Sequence, residues 1–167
     1  MGATKFTLKK LTAAGIGAAL KKAERYRLLN EPEHAESICL DILAVDKTNQ
    51  EALQNLILSI ADQFPMSGEA RPRRALEYAA MIEDDYQRLY LTGLVHEREG
   101  RSVLKRVMGS RAAAYECFRA AMDAYERAEA IRPEGIEDTI LRWNSCVRII
   151  QRESLEPARY EMEMHLE

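Results

Sequence analysis

The sequence predicts an all-α chain of about seven helices, arranged as stacked antiparallel helical hairpins with the third hairpin elongated. Three observations carry that expectation. Apolar residues recur at helical spacing through most of the chain, and no sustained period-two alternation marks a strand. Five prolines and eight glycines are few and cluster between the helical runs. Small or apolar residues also return at offsets of zero, four and seven in three places: Ala35, Cys39 and Ile42; Ala75, Ala79 and Ile82; Ala121, Tyr125 and Ala128. That spacing is one face of a helix.

Each element has its own signals. Thr12 is read as the cap of a first helix over about 13–29, whose Ile16, Ala19, Leu20, Ala23, Tyr26 and Leu28 keep helical spacing. In "NEPE", Asn30 is read as the next N-cap, Pro32 suits a first turn and Glu33 completes an N-x-x-E pattern. The second helix follows over about 31–45. Thr48 with Glu51 reads as a capping box for a third, about 50–63. "PMSGEARP" is a loop with two prolines and a glycine, and a fourth helix over about 72–83 carries Ala75, Tyr78, Ala79 and Ile82. Asp84 or Asp85 caps the fifth. Gly109-Ser110 turns the chain into a sixth over about 111–131, which Pro133 and Gly135 stop; a seventh over about 137–152 holds Trp143, expected in the core at the open end of the stack. Residues 1–11 are expected as a flexible N-terminal segment, 12–152 as the helical domain and 153–167 as a C-terminal tail.

The 167 residues suffice for one domain with its own core. Apolar residues make up 47% and charged residues 31%, a globular rather than a disordered balance. A net charge of -3 disfavours a nucleic-acid or membrane binder that uses its whole surface. Cys39, Cys117 and Cys146 lie far apart without a CxxC, so buried free thiols in a reducing, cytoplasmic setting are expected over disulfides or zinc. "KFTLKKLTAAGIGAALKK" has the basic flank and short apolar stretch of a signal peptide. Gly15 and Gly17 dilute it, however, and it runs on without a cleavage site, so it reads as the first helix. Phe6 stands where a myristoylation signal needs Ser or Thr. No run approaches the ~18 apolar residues of a membrane span.

Ala121, Tyr125, Ala128 and Pro133 resemble the second-helix half of a tetratricopeptide repeat, and Gly93 and Gly100, or Ala23, Tyr26 and Asn30, resemble its first-helix half. The resemblance covers about residues 15–150. The markers Ala35, Ala75 and Ala121 stand further apart than that family's period of about 34 residues, and Lys47 replaces the proline of the first repeat. Three degenerate repeats and a closing helix result. An insertion of roughly sixteen residues, mostly between Gly100 and Ala121, lengthens both helices of the third hairpin by about two turns. The resemblance implies a TPR-like α-solenoid in which stacked hairpins bury a continuous core and leave a groove lined by the first helix of each pair.

Catalytic motifs are absent: no GxSxG, no Walker A and no GxGxxG is present, and "GIG" at 15–17 lacks a preceding strand. His34, His96 and His165 form no pair at ligand spacing, and the single ExxH of Glu31 and His34 is too little for a di-iron bundle. No catalytic residue, metal or cofactor is expected. Asp123, Glu126, Arg127 and Glu129 lie off the Ala121–Ala128 stripe, with Asp123–Arg127 and Glu129–Arg132 as expected pairs on a solvated face.

Two surfaces remain. By the family's register the groove is lined by Lys21, Glu24, Arg27, Asn55, Leu58, Asp62, Tyr90, Leu94 and Asn144. The carboxylate clamp of chaperone-binding relatives is not expected, because only Asn55 matches it, while Leu20, Glu24, Gln87 and Leu91 occupy its other places. The second surface is the insertion, where Arg101, Lys105, Arg106 and Arg111 form a local basic run. The expected function is a non-catalytic adaptor or scaffold that binds a peptide, a helix or a partner subunit. Self-association stays open. The alternatives are an all-α enzyme or ligand-binding bundle, and nucleic-acid binding through residues 101–111, for which neither exposed aromatics nor a basic fold-wide face speaks.

Overall fold

The computed structural model of the chain describes residues 6–66, 70–106 and 110–158. The described residues form seven α-helices and no strand: α1 Ile16–Leu28, α2 Pro32–Val45, α3 Gln50–Asp62, α4 Ala70–Ala79, α5 Asp85–Lys105, α6 Arg111–Glu129 and α7 Asp138–Arg152. Single 3-10 turns precede α1 (Ala13–Gly15) and follow α3 (Phe64–Met66). Each helix packs against the next in the chain, and α3 additionally touches both α1 and α5. The α5–α6 hairpin is the longest, with helices of 21 and 19 residues.

The three sequence stripes explain the packing. Ala35, Cys39, Ile42, Ala75, Ala79, Ile82, Ala121, Tyr125 and Ala128 are all buried, none more than 2% exposed. Small side chains there let neighbouring backbones approach. The approach is closest between α5 and α6. A Cβ on Gly93 would stand 2.6 Å from Cδ1 of Tyr125, and one on Gly100 would stand 3.1 Å from the Phe118 ring. The first contact is impossible without moving the aromatic ring, so glycine is required at residue 93. Residue 100 lies inside the extended α5 rather than at a turn.

The core has two main parts. The first gathers Cys39, Leu53, Leu56, Ile57, Ile60, Phe64, Ala75, Leu91 and Val95 from α2–α5. The second gathers Ala114, Phe118, Ala121, Met122, Tyr125, Cys146 and Ile149 from α6 and α7, with Leu155 beyond the last helix. Tyr90 packs against both. Trp143 is half-buried against the second part rather than enclosed by it. Cys39 and Cys146 are buried and Cys117 is half-buried, and all three thiols are free. Burial pushes the Cys39 and Cys146 thiols up to about 12 and Cys117 up to about 11.

The helix ends follow the expected chemistry in part. Asp84 caps α5 by accepting from the Gln87 amide at 2.8 Å, and Ser110 caps α6 by accepting from the Ala113 amide at 3.2 Å. Thr12 makes no side-chain capping bond. The cap of α3 is Asn49, not Thr48: its side chain accepts from the Ala52 amide at 2.9 Å. Asn30 does not start α2; it ends α1. With φ of 61° it is a left-handed residue just past that helix. Its amide donates to the Arg27 carbonyl while the Glu31 amide donates to the Tyr26 carbonyl. That paired closure is the Schellman motif. Ser154, with φ of 49°, closes α7 the same way, and so turns Leu155 back onto the core. No helix among the described residues is long and apolar enough to cross a membrane.

Candidate functional site

The charged side chains that gather in this fold are not those on the outer face of α6. There, Asp123 accepts from Arg119, not Arg127, and Arg132 bonds Glu137, not Glu129. These pairs are exposed and weak. The most extended set of organised charges lies along the odd-numbered helices.

Asp62, the last residue of α3, bridges two arginines. Arg27 of α1 donates its Nε to Asp62 at 3.2 Å, and Arg98 of α5 pairs with the other carboxylate oxygen. Arg98 also donates to the Leu58 carbonyl at 3.2 Å. Desolvation lowers the Arg98 pKa from its usual value, and the Asp62 charge only partly opposes that. The guanidinium nevertheless stays charged at neutral pH.

One residue earlier on α5, Glu97 is 1% exposed. Such a charge survives burial only if it is paired and hydrogen-bonded. Tyr125 of α6 donates its hydroxyl to one oxygen of Glu97 at 2.7 Å. Arg101, one turn along α5, donates Nε and Nη2 to the other oxygen at 3.1 and 2.9 Å. Arg142 of α7 approaches that same oxygen at 3.5 Å. Arg101 further donates to the Ser145 hydroxyl of α7 at 3.0 Å, and Arg142 lies near Tyr90. Burial, then the neighbouring Glu97 charge, push the Tyr125 phenol far up, so it remains a donor. The result is a continuous cross-link from α1 through α3 and α5 to α7.

The anticipated groove residues divide. Arg27 and Asp62 belong to this cross-link. Leu58 lends it a carbonyl, and Tyr90 lies near Arg142. Lys21, Glu24 and Asn144 are exposed. Asn55 and Leu94 are buried, at 9% and 4% exposure. Asn55 donates to the Glu51 carbonyl of its own helix and Leu94 packs in the first core cluster, so neither offers surface. The basic run divides too. Lys105, Arg106 and Arg111 are exposed at the end of the long hairpin, but Arg101 is drawn away to Glu97 and α7.

Glu97, Arg98 and Arg142 stand outside both anticipated surfaces. Glu97 carried a signal in the sequence: it sits four residues after Gly93 and three before Gly100, on the stripe that packs against α6. An acid on a small-residue stripe must be buried and must have partners. A similar carboxylate, Glu36 of α2, is 8% exposed. It accepts from Gln63 at 2.6 Å and from Arg71 and Arg74 of α4 at 2.9 and 2.6 Å. Desolvation alone would raise its pKa, but the bonds from Gln63, Arg74 and Arg71 outweigh that and hold it below the usual range.

Two open clefts flank Arg101 and Lys105. One, of about 220 Å³, is lined by Ala61, Asp62, Pro65, Arg98, Arg101, Ser102 and Lys105. The other, of about 270 Å³, runs towards Ile149 and Arg152 of α7. No group of three or more His, Cys, Asp or Glu side chains among the described residues is placed to hold a metal ion. Compared with protein-family models, curated proteins and solved structures, the chain matches none of them.

Proposed function

We propose that the chain is a non-catalytic protein-interaction module, a TPR-like stack whose odd-numbered helices present a binding face to a peptide, a helix or a partner subunit. The observation that carries this reading is the cross-linked charge on that face. Arg27, Asp62, Arg98, Arg101 and Arg142 come from four helices and are fixed relative to one another by ion pairs. A face held rigid before binding loses little side-chain entropy when a partner arrives. Its cations exceed its carboxylates, so it favours an acidic partner.

Arg27→Gln combined with Arg142→Gln tests this. Each substitution leaves its carboxylate a second arginine, so the fold should survive. Proteins captured from the native host by the wild-type chain should be lost from the double variant. An unchanged set of captured proteins, with an intact helical spectrum, overturns the reading.

A further inference from the structure

The cleft between the end of α3 and the second half of α5 has a donor set that its own fold does not use up. Arg98, Arg101, Ser102 and Lys105 all line it. Their spacings of three, four and seven residues put them on one face of α5. Lys105 is exposed and has no ion-pair partner among the described residues. Arg98 and Arg101 are held in place by Asp62 and Glu97, but a guanidinium carries five N–H donors, more than these contacts consume.

Ser102 supplies the second, independent observation. It is 2% exposed, and its hydroxyl oxygen is buried without a hydrogen-bond partner. Buried hydroxyls nearly always have one, and an orphan is destabilising. A serine kept in that state beside three cations fits a group that arrives from outside. Among the described residues Asp62 is the one carboxylate that lines the cleft, and Arg27 shares its charge from the far side. The cleft is thus strongly cationic on a chain of net charge -3.

We propose that this cleft binds a phosphoryl group. A carboxylate would bring one negative charge on two oxygens to the two guanidiniums, the ammonium and the hydroxyl. A phosphate monoester brings about -1.5 to -2 on three strong acceptor oxygens, a closer match to the cleft's cations. The cleft's volume of about 220 Å³ suits a headgroup of that size rather than a large ligand. The bound group would be read by charge-assisted bonds from Arg98, Arg101 and Lys105, with the Ser102 hydroxyl as a fourth donor. The proposal goes beyond the interaction face as a whole and stands or falls separately from it.

The test is calorimetric titration of the purified chain at constant ionic strength with inorganic phosphate, a phosphoserine peptide and glutarate. Phosphate and the peptide should saturate, with glutarate weaker by at least about threefold. Tighter binding of the peptide than of inorganic phosphate assigns the group to a modified protein; equal binding assigns it to a small anion. Lys105→Glu should weaken phosphate by about tenfold or more, while Lys47→Glu, an exposed cation after α2, should leave it unchanged. Ser102→Ala separates a ligand role from a packing role. It should weaken phosphate severalfold while leaving the thermal midpoint unchanged or higher, because an orphan hydroxyl is removed. Absence of saturation, equal losses in the two lysine variants, or undiminished phosphate affinity in Ser102→Ala would each overturn the assignment.

Discussion

Glu36 and Glu97 are the same device in two halves of the molecule. Each is a glutamate on a helix face that collects two arginines and one neutral donor, and so ties together three stretches of chain. Their surroundings differ. Glu36 gathers Gln63, Arg71 and Arg74 at the edge of the first core cluster. Glu97 lies at 1% exposure between α5 and α6, bonded to the fully buried Tyr125. Depth decides the cost of breaking such a link. Near the surface, water replaces a lost partner; between packed helices it cannot.

The largest expected effect is therefore at Glu97. Glu97→Ala should lower unfolding stability by about 3 kcal/mol, the low end for a broken buried pair because Arg101 and Arg142 still reach solvent. Denaturant unfolding measures it, and a loss no greater than that of Glu36→Ala would erase the contrast of depth. Tyr125→Phe comes next, at about 1–2 kcal/mol, because it strips one Glu97 oxygen of its donor while keeping the ring that packs on Gly93.

Glu36 sharpens the comparison through pH. Its folded pKa is depressed, so its contribution is complete above the ordinary carboxylate value of 4.5 and is lost as pH falls through the lower folded value. Glu36→Gln should cost about 1 kcal/mol at pH 7 and should flatten the decline of stability between neutral pH and pH ~3. Parallel curves for variant and wild type would remove Glu36 as a source of the acid sensitivity. The smallest effect belongs to the outer face of α6. Asp123→Ala breaks only an exposed pair with Arg119 and should change stability by less than about 0.5 kcal/mol in thermal melts.

What could be read from the sequence follows the same division. The helices and the nine stripe residues were legible because burial of a periodic face is a local pattern. Asn30 was not, since asparagine serves both as an N-cap and as a left-handed helix end, and only the backbone angle separates the roles. Arg101 was grouped with its neighbours by composition, which counts charge without knowing the face; the structure turns it towards Glu97 and Ser145. The Arg27–Asp62–Arg98 bridge joins residues 35 and 36 positions apart, and no spacing rule reaches that far. The repeat register named Arg27 and Asp62 only as groove lining, not as an ion pair, and Arg98 and Arg142 needed the packed helices.

Two of the three thiols give these halves separate clocks. Cys39 belongs to the first core cluster and Cys146 to the second, and burial pushes both thiols up to about 12. At neutral pH burial keeps both in the thiol form, and the thiolate is the form that alkylating reagents attack. In the folded chain both sulfurs are chemically silent. Each becomes reactive when its own core cluster opens, so the rate at which each is modified reports the opening frequency of that cluster without any engineered label.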